Sequence, residues 1–130
     1  MSQIKSYRDL TAWQKAVDLV TETCRLSDGF PRSEDFGLRL QIRRSAVSVP
    51  ANIAEGHGRT GIGEFLHHLS IAHGSLAELE TLLTVAVNLG DLKPSGTQAI
   101  ERQSEEVGRV VGAVMCRLRE RVEGAKIRRR

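Results

Sequence analysis

Aromatic side chains are scarce in this 130-residue sequence: one Trp, one Tyr and three Phe. It has three prolines and two cysteines. No apolar run approaches the roughly 18 residues that a membrane-spanning helix needs. Each shortage excludes something. β-sandwiches and barrels draw on aromatic and β-branched residues with frequent turn signals, so this composition argues for helices. Cys24 and Cys116 stand 92 positions apart with no CxxC spacing. They suggest neither a disulfide framework nor a zinc site, and are expected to be reduced, buried, small hydrophobes. Residues 1–9 are polar and lack the apolar stretch of a signal peptide, which makes the cytoplasm the expected address.

What is present is ordinary for a folded domain. Hydrophobic residues make up 40% and charged residues 27%. That balance is globular and not disordered, and the length suits one domain with a core that needs no disulfide or metal. Four segments carry helical periodicity. The first holds Leu10, Trp13, Val17, Val20 and Cys24, with Asp9 as N-cap, Trp13 as anchor, and Gly29 and Pro31 at its end. The second follows Pro31, with Ser33 as cap and Glu34 and Asp35 in the first turn; its stripe is Leu38, Ile42, Ser45 or Ala46, Val49 and Ile53. Pro50 inside it removes a donor, so a bend is expected, with Ser48 or Asn52 covering freed carbonyls. The third is the most regular: Ile62, Phe65, Leu69, Ala72, Leu76, Leu79, Leu83 and Ala86, closed by Gly90. The fourth opens at Ser95 or Thr97 and runs through Ile100, Val107, Val111, Val114, Leu118 and Val122, with Gly108 and Gly112 read as points of close helix approach. The helices are expected at about 9–27, 33–56, 61–89 and 96–122, followed by a frayed basic tail over 123–130. Short loops between long amphipathic helices predict an all-α, antiparallel, up-down-up-down, left-handed four-helix bundle with crossings of about 20°.

The motifs offer weak chemistry. The small-residue run 45–56 reads as close backbone packing or as a polar pocket at the Pro50 bend. Gly58, Arg59 and Thr60 form a Gly-rich loop before a helix, a place where backbone N–H groups can hold an anion, or simply a turn. Glu64 and His67 have the Glu-x-x-His spacing of di-iron bundles, but such sites need a second motif and two more carboxylates. His67, His68 and His73 lie off the main stripe, on solvated faces or at a subunit interface. No nucleophile, base and orienting acid come together, so no catalytic residue, metal or cofactor is assigned and no enzyme is expected.

Charge is unevenly spread. The net charge is +3, yet residues 109–130 hold eight cations against two carboxylates, a surplus of +6. The remaining 108 residues hold eleven against fourteen, or −3. Arg117, Arg119 and Arg121 are therefore candidate nucleic-acid contacts, followed by Arg43 and Arg44, which serve equally well as interface ion pairs. The basic end carries no aromatics, which disfavours sequence-specific reading of single strands.

The stretch from Gln41 to Arg59, QIRRSAVSVPANIAEGHGR, resembles the four-helix bundle proteins first noticed in intervening sequences of bacterial 23S ribosomal RNA genes. Leu10–Ala16, Phe30-Pro31 and Ser75–Thr81 agree with it. The resemblance implies a left-handed bundle that assembles as a homopentamer. It also implies a distant relation to accessory proteins of diversity-generating retroelements, basic pentamers that bind nucleic acid and a reverse transcriptase. It carries no catalytic residue. A ring of five multiplies the chain's +3 to +15 and makes a multivalent basic surface. The expected role is a non-enzymatic homo-oligomer that binds RNA or DNA. The alternatives are a protein-interaction scaffold without nucleic-acid binding, or a metal-dependent enzyme built on Glu64 and His67. No membrane partner is expected.

Overall fold

Helix α1 spans Thr11–Ser27, α2 Leu38–His57, α3 Ile62–Asn88 and α4 Pro94–Arg129, with a short 3₁₀ turn over Tyr7–Asp9 ahead of α1. The structure, a computed structural model, describes residues 4–30 and 37–129. Pro31, Ser33, Glu34 and Asp35, and the expected start of the second helix, lie outside the described residues. The helices pack as a four-membered ring, α1 on α2, α2 on α3, α3 on α4 and α4 back on α1. Cross-helix bonds fix antiparallel registers. Lys15 meets Glu106 at 2.8 Å, and the Ser104 hydroxyl donates to Glu80 at 2.8 Å. All described secondary structure is helical, and this is an all-α four-helix bundle.

The core follows the expected stripes in three helices. Ile42, Ser45, Ala46, Val49 and Ile53 are buried in α2; Leu69, Ala72, Leu76, Leu79, Leu83 and Ala86 in α3; Ile100, Val107, Val111 and Leu118 in α4, while Leu38, Ile62, Phe65, Val114 and Val122 are half-buried and Met115 is buried in place of Val114. In α1 the buried face is one position round from the expected one: Ala12, Ala16, Leu19, Thr23 and Ser27. Trp13, Val17, Val20 and Cys24 are only half-buried. Both stripes have 3–4 spacing, and the polar look of Thr23 and Ser27 favoured the wrong one. Those hydroxyls are satisfied inside the helix, on Leu19 O at 2.7 Å and Cys24 O at 2.9 Å, so burial costs them little. Trp13 is half-buried, packs against the edge of the core and makes an edge contact with Tyr7 at 5.2 Å.

The helix ends differ in detail. Asp9 does not cap α1. Its carboxylate accepts from the backbone N–H groups of Lys5 and Ser6, closing the 3₁₀ turn, while Leu10 takes the N-cap position without a side-chain bond. Gly90, at φ +83°, closes α3 as expected: its N–H donates to Val87 O and that of Asp91 to Ala86 O, the paired bonds of a Schellman end. α4 starts at Pro94, ahead of both Ser95 and Thr97, because proline suits the first helical position, where no N–H is needed. At its other end the expected tail is helical over its described residues. Val122 and Ala125 extend the spacing of Leu118, cations favour the last turn, and the helix continues to Arg129. Cys24 is half-buried and Cys116 exposed, so neither behaves as the expected core thiol.

α2 and α3 make the closest pairing. α2 is assigned as one helix through Pro50. Asn52 Nδ2 donates to the Ser48 carbonyl (2.8 Å) and hydroxyl (3.0 Å); the carbonyl that Pro50 frees belongs to Ala46, which Asn52 does not cover. The bonds then cross between helices, Ser75 to Ser48 at 2.8 Å and His68 Nδ1 to Asn52 Oδ1 at 3.0 Å. Gly56 sits where a Cβ would come within 2.6 Å of His68 Cβ. The small-residue run is therefore a packing surface with an internal polar chain. Gly108 and Gly112 are different: an added Cβ would meet only Leu76 at 3.7 Å in the first case and nothing within 4 Å in the second. Close approach of a helix in the same chain explains neither.

Candidate nucleic-acid interface

A straight helix turns about 100° per residue, so side chains four and eleven apart fall on one side. That rule sorts the arginines of α4. Arg117, Arg121 and Arg128 share a stripe some 40° wide, with Gly124 in the same stripe. From first to last it runs about 16 Å at about 1.5 Å per residue. Arg119 points nearly the other way, together with Lys126. The sequence grouping of Arg117, Arg119 and Arg121 is thus split, and Arg128 replaces Arg119. The signal was present in the seven-residue step from Arg121 to Arg128.

All of these cations are exposed. None makes an ion pair with a described residue. Glu123 points away from the stripe; Glu120 flanks it, one turn beyond Arg117, and accepts a weak bond from Cys116 Sγ at 3.7 Å. Past Leu118 no residue of α4 is buried. Upstream, the same face of the helix carries Val110 and Val114, which pack at the beginning of α1. The stripe begins at the level of the first residues of α1, and beyond Arg117 α1 does not cover that face.

The segment ahead of α1 reaches the same end of the bundle. Ile4, Leu10, Ile53, Phe65, Val114 and Arg117 surround one apolar cavity of about 150 Å³. Exposed Lys5 and Arg8 lie on this segment. Sequence reasoning missed them because nothing local links residue 8 to residue 117.

Gly58, Arg59 and Thr60 are also at this end, but they are arranged as a helix stop. Gly58 N–H donates to Ala54 O and Arg59 N–H to Gly56 O, so both donors are committed to ending α2. The Arg59 guanidinium donates to Glu55 at 2.6 Å. This bond, followed by the charge of His68, holds the Glu55 carboxyl below its ordinary range. Arg59 is ion-paired and the Gly58 and Arg59 N–H groups are spent, which leaves the first turn of α3, whose N-cap Gly61 offers no side-chain bond, as the part of this loop that can meet an anion.

Arg43 and Arg44 stand apart from the basic end. Arg43 crosses from α2 to the last turn of α1, donating through Nε to Ser27 Oγ at 2.7 Å and through Nη2 to Asp28 at 2.5 Å. It ties two helices within the chain. Arg44 is exposed on α2. Glu64 and His67 are both exposed, and His68 turns inward to Asn52. Among the described residues, no three His, Cys, Asp or Glu side chains come together as a metal site.

Residues 8–113 match the 23S rRNA-intervening sequence protein family. Among solved structures, one similar chain is a protein of unknown function from the S23 ribosomal protein family of Bacteroides thetaiotaomicron. It is 21% identical, with a TM-score of 0.75, over 81% of this chain and 98% of that one. That likeness shows a shared fold. No curated protein matches the chain significantly.

Proposed function

The chain belongs to the 23S rRNA-intervening sequence protein family, and from that premise we propose that it is a non-enzymatic homo-oligomer, a ring of five, that binds RNA or DNA along α4. The observation that carries this reading is the stripe of Arg117, Arg121 and Arg128 on a helix that runs to Arg129 with that face uncovered. Guanidinium groups without internal partners are free to replace counterions on phosphate, which is the main source of sequence-independent affinity. Lys5 and Arg8 widen the basic end. α4 contains no aromatic residue to stack on bases, so contact falls on the backbone. The stripe lies beyond residue 113, outside the matched family region.

Filter binding of structured RNA and of duplex DNA, each at 50 and 200 mM salt, tests the reading. Binding that weakens steeply with salt supports it; no binding of either at the lower salt refutes it. No helix among the described residues is long and apolar enough to cross a membrane.

A further inference from the structure

Six large hydrophobic side chains are well exposed among the described residues, and four of them lie on the outer side of one helix pair: Val47 on α2, and Ile71, Val85 and Leu89 on α3. Their spacing is regular. Ile71 and Val85 are two heptads apart with Glu78 midway, and Leu89 is one turn beyond Val85, so all share a face. The Ser48–Ser75 and Asn52–His68 bonds set the antiparallel register and bring Arg44 level with Glu78. α3 therefore carries two apolar stripes, one in the core and one facing out. A helix with two such stripes has a second partner to find.

Charge decides the occupant. Arg44 and Glu78 are both exposed, and neither is ion-paired to a described residue. A polyanion would face Glu78 unfavourably, and a partner of one charge sign would leave one of the two unmatched. A surface of mixed sign with an apolar floor exists on the opposite side of this same molecule. It is the groove between α1 and α4, about 810 Å³, lined by Leu26, Ala99 and Ile100 and flanked by Arg102 and by Glu22, which Arg25 pairs at 2.7 Å. We propose that the α2/α3 face of one copy docks into the α1/α4 groove of a second copy. The contact uses two different faces, so repetition builds a closed ring or a filament and not a simple dimer. The inference rests on the homo-oligomer reading and names its interface.

The test uses the full chain and sedimentation velocity, with circular dichroism to confirm folding. Val85→Glu alters the face and Ala99→Glu alters the groove; Leu89→Glu, at the most exposed position, serves if Val85→Glu fails to fold. The expected result is an assembled wild type, monomeric single variants with unchanged helicity, and a dimer when face and groove variants are mixed, since each retains one intact surface. A monomeric wild type overturns the oligomer reading and this inference together. An assembled wild type with folded variants of unchanged mass, or variants that stay monomeric when mixed, overturns the interface alone.

Discussion

Gly56 and Gly112 both lie inside helices, and alanine is expected to act on them in opposite directions. At Gly56 the new methyl would collide with His68 and Phe65, at 2.6 and 3.0 Å from their nearest atoms. Overpacking of this kind costs about 1–3 kcal/mol. At Gly112 nothing lies within 4 Å, so alanine should stabilise by up to about 1 kcal/mol through helix propensity. Urea denaturation of the two variants checks both signs. Two ion-paired carboxylates, Glu55 and Glu106, give a pH effect whose direction is fixed. Arg59 holds the Glu55 carboxyl below its ordinary value near 4.5, and Lys15 does the same for Glu106. A folded-state pKa below the unfolded one adds stability that is complete above the ordinary value and lost as pH falls through the folded one. The urea midpoint should therefore drop between pH 6 and pH 3, by less in a Glu55→Gln, Glu106→Gln double variant. An equal drop in both proteins would assign the acid sensitivity to other groups.

α4 is the element where sequence and structure part most usefully. Its apolar spacing was legible as far as Val122, as were the stripes of α2 and α3, because strong 3–4 alternation leaves one buried face. α1 was legible as a helix but not in its rotation: Thr23 and Ser27 close their hydroxyls on their own backbone, and composition cannot show that. The continuation past Val122 was hidden by its charge, which reads as a solvated tail until Val122 and Ala125 are seen to hold the helical register. Since nothing past Leu118 is buried, deleting residues 123–130 should leave the melting temperature within about 2 °C, the equivalent of under about 0.5 kcal/mol for a domain this size. The same deletion removes Arg128 and should weaken nucleic-acid binding. A collapse in stability, followed by a thermal scan, would show that the segment is part of the fold.

At the scale of the whole molecule, the account joins a modest net charge to an uneven surface. The cations of the Arg117 end, the neutral α2/α3 face and the α1/α4 groove occupy different parts of the bundle, so assembly and ligand binding should be separable by mutation. That division could not be read from sequence. It depends on Arg59 being neutralised by Glu55, Arg43 being engaged by Ser27 and Asp28, and Lys5 and Arg8 being brought to the end where Arg117 lies. The most direct measurement of the central claim is the salt dependence of structured-RNA binding by the wild type and by an Arg117→Gln, Arg121→Gln, Arg128→Gln variant. Each lost phosphate contact should lower the log–log slope by about 0.7–0.9. The account predicts a slope reduced by at least about 2 in the variant, with its helicity unchanged. Equal affinity and equal slope in the two proteins would contradict it.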